Sequence, residues 1–270
     1  MAAVLTCEAE LATLRETPVR LQRRYRLSDA ELAMLVDAPP AGFRVTGESV
    51  RSKLVRKVAA CLPATFAELE AHHAELLGGF ASATVLRPQP GQPPMGSGGP
   101  EQLVAWIDGR VPMSLVDFAR YELLCGQLAC DRQAAQAARK PAAAVSNDVE
   151  PVLAPDEISG EDTPAGGVLS ISSTVRVASF DHDVTAEAPP AHLPARHTSI
   201  LLQRQWGEPP VRIYRINDAT AALLSCCDGT RNVAQVVAAV GTDSDQTTGI
   251  LTRFAAAGVL LGSHRHHAPR

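Results

Sequence analysis

The chain has 270 residues, 46% hydrophobic and 20% charged, which exceeds what one hydrophobic core needs and leaves room for two domains. Its 25 basic and 29 acidic side chains give a formal charge of −4, so no overall bias points toward nucleic acid or an anionic membrane. No apolar run approaches the roughly 20 residues that cross a bilayer, and the opening MAAVLTCEAELATLRE places acids where a secretory peptide needs an unbroken apolar stretch, so the chain reads as cytoplasmic.

The N-terminal region reads helical, because Ala, Leu, Glu and Arg are abundant there and β-branched residues sparse. Ser28-Asp29-Ala30-Glu31 forms a capping box opening a run with Leu32, Leu35 and Val36 on one face. Val50, Leu54 and Val58 repeat at four-residue spacing before Pro63, and Thr65 with Glu68 offers a second cap ahead of Phe66, Leu69, Leu76 and Leu77. Gly78-Gly79 is expected to end that helix, and RPQPGQPPMGSGGP, residues 87–100, reads as a loop. Val104, Trp106 and Ile107 supply a short piece, and Ser114 with Asp117 caps a helix carrying Leu115, Phe118, Leu124 and Leu128. These elements predict a small helical bundle over residues 1–133.

Residues 134–167 are rich in Ala and Pro, and from Asp148 to Asp162 carry acids only, a linker signature. The hydrophobic period then changes to two. Leu169, Ile171, Val175 and Val177 alternate with Ser170, Ser172, Thr174 and Arg176, as in one half-buried strand. Residues 198–204 and 211–216 read as two further strands joined through the turn residues GEPP. Asn217 or Asp218 caps a short helix ending near Cys227. Asp228-Gly229 turns the chain, and Thr230 caps a helix with Val233, Val236 and Val237. A last helix, about 245–257, groups Ile250, Leu251 and Phe254, stops at Gly258 and leaves Val259-Leu260-Leu261 as a terminal strand or wing. The expectation is an α+β chain: the N-terminal bundle, then over 168–270 a winged-helix-like module of one three-stranded antiparallel sheet and three helices.

Catalytic and metal motifs are absent: there is no G-x-S-x-G, H-E-x-x-H, Walker loop or G-x-G-x-x-G. Cys7, Cys61, Cys125, Cys130, Cys226 and Cys227 include no C-x-x-C pair and no histidine at zinc-finger spacing, so they read as core or surface thiols. His72-His73 lacks the i, i+4 geometry of a metal pair. Asp181-His182-Asp183 reads as an exposed strand end, and the His264–His267 tail as lying beyond the last packed residues. No catalytic residue, metal ligand or cofactor is assigned to the chain.

VRIYRINDATAALLSCCDGTRNVAQVVAAV followed by ILTRFAAAGVLL resembles the family of the pyrroloquinoline quinone biosynthesis chaperone D, which includes the RiPP recognition element. The likeness rests on the strand entering Asn217, Thr220-Ala221, Asp228-Gly229-Thr230 and the closing helix ending in Gly258. ESVRSKLVRKVAACLPATFAELE and SLVDFARYELLCGQL resemble the helical domain of a family named for DNA binding and found beside iron-dependent oxidases, and VRVASFDHDV resembles a strand of the same proteins. Such two-domain chains are similar to the heterodimeric partners of multinuclear non-haem iron-dependent oxidases, which modify peptide cysteines in methanobactin-type and thiaglutamate-type biosynthesis. The resemblance implies a non-catalytic subunit that binds a precursor's leader peptide and presents its core cysteine, the iron residing in the partner. The long acidic linker and the insertion after Arg87 depart from that family.

Leader binding in that family implies strand addition, in which backbone supplies affinity and pockets supply specificity. By resemblance the edge is Val211, Arg212, Ile213, Tyr214, Arg215 and Ile216, and the wall is the final helix with Leu251, Arg253 and Phe254. Ordinary core packing accounts equally for Ile213, Leu251 and Phe254; Arg212, Tyr214 and Arg215 are the better exposed candidates. The alternative function is a winged-helix DNA-binding regulator. Against it, DQTTGILTRFAAA offers only Arg253 as a base and begins with Asp245, whereas a recognition helix presents several bases. The basic cluster of Arg20, Arg23, Arg24, Arg26, Arg51, Lys53, Arg56 and Lys57 lies in the helical part and reads as solvated helix faces.

Overall fold

The computed structural model describes residues 8–83, 99–138, 168–207, 209–241 and 244–263. Over these it is a mixed α+β protein with two antiparallel three-stranded sheets. Two compact units divide it, one comprising Met1–Leu123 with Val184–Pro194, the other Leu124–Asp183 with Ala195–Arg270.

The first unit is built from α1 (Glu8–Glu16), α2 (Pro18–Tyr25), α3 (Asp29–Asp37), α4 (Pro40–Cys61), α5 (Pro63–His72), α6 (Ala74–Ala83), α7 (Gly99–Ile107) and most of α8 (Met113–Cys130). Pro18, Pro40 and Pro63 each open a helix, where the missing N–H is one of the donors a helix start leaves unpaired. The Ser28 capping box closes on both sides: Ser28 Oγ accepts from the Glu31 N–H, and the Glu31 carboxylate accepts from the Ser28 N–H. Leu35 is buried in a small core with Leu14, Leu21 and Phe43. Its neighbour Val36 is half exposed, contrary to expectation, because adjacent helical side chains diverge by about 100°. The main core of the unit gathers Leu54, Val58, Leu62, Leu69, Phe80, Leu103, Ile107 and Leu115.

Three helix boundaries differ from the sequence expectation, each for a tertiary reason. The helix at Pro63 is not capped by Thr65, whose residue is buried; the Glu122 carboxylate of α8 instead accepts from the N–H groups of Ala64 and Thr65, both at 2.9 Å. The chain breaks at His73 and not at Gly78-Gly79, which lie inside α6, where Gly79 faces the Trp106 ring. Ser114 lies within α8, and its hydroxyl donates to the Ala191 carbonyl at 2.8 Å. Gly99-Pro100 begins α7 and is buried; the rest of the expected 87–100 loop, like residues 139–167 and the histidine tail, falls outside the described residues.

The second unit carries α9 (Arg132–Ala138), which occupies the start of the expected linker, then β1 (Val168–Ile171), β2 (Val175–Phe180), β3 (Thr198–Arg204) and β4 (Val211–Ile216). It continues with α10 (Asp218–Ser225), β5 (Asp228–Asn232), α11 (Val233–Val240), α12 (Ser244–Ala256) and β6 (Leu260–Ser263). The alternation read as one strand forms two. Ser172 and Thr174 share a hydroxyl hydrogen bond of 2.8 Å, and the Val175 N–H donates to the Ser172 carbonyl, so the chain turns between β1 and β2. β1 joins a sheet of order β5-β1-β6, whereas β2 joins one of order β2-β3-β4. The expected Asp228-Gly229 turn is thereby drawn into β5, Gly229 adopting a φ of +82°.

Asn217 caps α10 through the Thr220 N–H, and Asn232, not Thr230, caps α11 in a box with Gln235. Gly258, at a φ of +68°, follows α12, where the Val259 N–H returns to the Phe254 carbonyl. Leu201, Leu223, Leu224, Val236, Leu251 and Val259 form the core beneath these helices. No helix among the described residues is long and apolar enough to cross a membrane.

Glu122 holds the start of α5 from 57 and 58 residues away. Replacing it with Ala should lower unfolding free energy by about 2 kcal/mol, the cost of two uncapped donors. A urea titration with an unchanged slope reads that loss.

Candidate functional site

The candidate site is the outer edge of β4. β4 pairs with β3 in register from Ser199↔Ile216 to Arg204↔Val211, and among the described residues has no neighbouring strand on its other side. The direction of its backbone groups follows from parity. Gln205 N–H donates to the Pro210 carbonyl at 3.0 Å, one position past the last ladder pair. Hydrogen-bonded and non-bonded pairs alternate in an antiparallel ladder, so Arg212, Tyr214 and Ile216 exchange bonds with β3. Val211, Ile213 and Arg215 turn their N–H and C=O groups away from it. The Arg204 N–H, bonded to the Thr174 carbonyl at 2.7 Å, confirms the parity from the other side of β3.

The side chains divide in the same way. Tyr214 and Ile216 lie opposite Leu201 and Ser199, on the face toward the helices, and Ile216 packs against the core there. Ile213 and Arg215 lie opposite Leu202 and Ile200 on the other face. Arg212, Ile213, Tyr214 and Arg215 are all exposed, Ile213 at 41% and Tyr214 at 42%, values too high for a core strand. Ile213 is therefore not core packing.

The helix residues separate. Leu251 is 2% exposed and belongs to the core, Phe254 packs partly buried against that core, and Arg253 is half-buried in the last turn of α12. Leu251 is thus a structural side chain; Phe254 and Arg253 retain accessible surface. The end of α12 is tied to the sheet by the Gln203 side chain, which donates to the Ala257 carbonyl at 3.0 Å.

One contributor was not legible in the sequence. Asp183, read there as part of an exposed strand end, is buried and accepts from the Arg215 guanidinium at 2.8 and 2.9 Å and from Arg196. The carboxylate thereby fixes the orientation of Arg215 on the edge strand. The carboxylate and Arg215 are 32 residues apart, so no local spacing reveals the pair. Asp181, two residues earlier, is exposed as expected. Among the described residues no three His, Cys, Asp or Glu side chains converge as a metal-ligating group; His72 stands 3.8 Å from Glu68 on a helix surface.

Cys227 is buried, and desolvation, with smaller contributions from Cys226 and Asp228, pushes its thiol up to about 11. Asp228 is held below the ordinary carboxylate range by the hydroxyl and N–H of Thr230. No family model matches the chain, and no curated protein matches it.

Two outcomes follow. Asp183→Ala should cost about 1–3 kcal/mol, less than a fully buried pair because both guanidinium groups are half exposed; equilibrium unfolding measures it. The unfolded Cys227 thiol ionises near 9.0 and the folded one near about 11, so the folded state binds the extra proton. Its stabilisation is complete below pH 9.0 and is lost as pH rises through that window. Cys227→Ser should flatten the decline between these values in pH-dependent melts.

Proposed function

We propose that the chain is a non-catalytic recognition subunit of a peptide-modifying oxidase complex. In this reading, the β4 edge takes up the leader of a ribosomally made precursor as an added strand. The chain acts in the cytoplasm, with its N-terminal helical part docking on a multinuclear non-haem iron-dependent oxidase. The precursor's core cysteine is presented to the partner, which holds the iron and performs the oxidation.

The observation that carries the reading is the exposed β4 edge, with outward Val211 and Ile213 backbone groups beside half-exposed Ile213 and Tyr214. An added strand would satisfy those groups directly, and the exposed side chains supply contact area. The family resemblance of 211–261 supports the same assignment, as does its winged-helix-like order of strands followed by helices. α12 supports peptide over DNA: its first turn is acidic and its last turn holds Arg253 as its one base.

The test is co-purification with a candidate iron-dependent oxidase sought among the neighbouring genes, and fluorescence anisotropy of a labelled candidate leader peptide. Ile213→Pro removes one outward N–H without breaking a bond to β3. The expected result is an intact fold and a loss of leader affinity of about tenfold or more. A folded wild-type chain that captures neither enzyme nor leader, yet shifts random duplex DNA in a salt-sensitive manner, would replace this reading with the regulator.

A further inference from the structure

Among the described residues β2 is a second free edge of the sheet, and the same parity governs it. Because Thr174 and Arg204 are a hydrogen-bonded pair, Val175, Val177 and Ser179 turn their backbone groups away from β3. The Val175 carbonyl is taken by the Arg176 guanidinium at 2.8 Å. The N–H and C=O groups of Val177 and Ser179 have no hydrogen-bond partner among the described residues. Alongside them runs a groove of about 680 Å³, walled by β2 on one side and by Ala221, Ala222 and Ser225 of α10 on the other. The small side chains of α10 leave the space beside the strand unfilled.

The charge of the groove selects its occupant. At one end stand Asp218, with its side chain 75% exposed, and Asp181, 85% exposed, with His197 between them at 3.3 and 3.8 Å. The one guanidinium lining the groove, Arg176, is directed to the Ser173 and Val175 carbonyls and to Asp131 at 3.4 Å. The exposed carboxylates of Asp218 and Asp181 make that end of the groove acidic.

We propose that the β2–α10 groove is a second peptide-binding site, taking an extended segment that pairs with Val177 and Ser179 and places a basic side chain against Asp218 and Asp181. β2 spans six residues, about 20 Å at the rise of a strand, so a segment of similar length fills it. This site is independent of the β4 edge, since β3 stands between the two strands.

The probes are two fluorescein-labelled, end-capped octapeptides, one alternating valine with lysine, the other valine with glutamate. Bound to the full chain, the valine-lysine peptide should shift the amide resonances of Val177, Ser179, Ala221 and Ala222, and bind about tenfold tighter than its glutamate counterpart. Ala222→Trp fills the groove from an exposed helix position, and Asp218→Lys reverses its mouth. Each should weaken binding by about tenfold while circular dichroism is retained, whereas Ile213→Pro should not. No binding at millimolar peptide, equal binding of both peptides, or shifts confined to β4 would each overturn the second site. The β4 proposal stands or falls separately, on the leader titration.

Discussion

β3 has a neighbour on each side and is buried on both faces, and what this chain offers to a partner depends on that one strand. Ile200, Leu201 and Leu202 are all essentially inaccessible: Leu201 lies in the core beneath the helices, and α9 packs on β3 as well. A strand with these demands cannot sit at an edge. Its odd-numbered residues hydrogen-bond β4 and its even-numbered residues β2, so the outward groups of both flanking strands are set by its register. A slip of one residue would exchange Leu201 with its neighbours and turn different backbone groups outward along β4. Apolar packing of β3 therefore determines which amides face outward along β4.

Edge strands invite pairing with other copies, and the chain guards β4 by charge. Arg212 and Arg215 stand on opposite faces of the strand, and Asp183 holds Arg215 in place. Ile213 and Tyr214 remain accessible between them, so a peptide has apolar contact available while a flat, uncharged edge is avoided. The Asp183 pairs thus meet two needs: the half-exposed Arg196 and Arg215 guanidinium groups compensate a buried carboxylate, and that carboxylate orients a cation on the β4 edge.

Much of the architecture was legible because its signals are local. The Ser28 box, the Asn217 cap, the Gly258 stop, and the runs 198–204 and 211–216 each depend on residues within a few positions of one another, and each appears where expected. The β4 strand of the candidate site was readable for the same reason. What failed was any boundary decided from afar. Glu122 displaces the local Thr65 cap. The Trp106 ring and the surrounding core carry α6 through two glycines that would otherwise end it. The division of one alternating run into β1 and β2 depends on β5 and β6, which lie far along the chain and recruit β1 into their own sheet. Alternation reports that a segment is half-buried, and it carries no information about which sheet buries it. The separation of Leu251 from Arg253 and Phe254 was likewise invisible, because helical periodicity assigns a face but not the depth of a side chain within it.

Register also decides the β2 edge, a surface assembled from residues far apart in the sequence. Ala221, Ala222 and Ser225 read as ordinary helix residues, and Val177 as one term of an alternation. They become a groove wall because α10 packs beside β2 and their small side chains leave the space between them unfilled. Had α10 carried leucine at Ala222, dispersion and burial would favour filling that space, and the Val177 and Ser179 amides would be covered by the chain itself. The two edges also differ in charge, arginine on β4 and aspartate at one end of the β2 groove. Opposite charge on two edges with one shared register gives the sheet a polarity across its width.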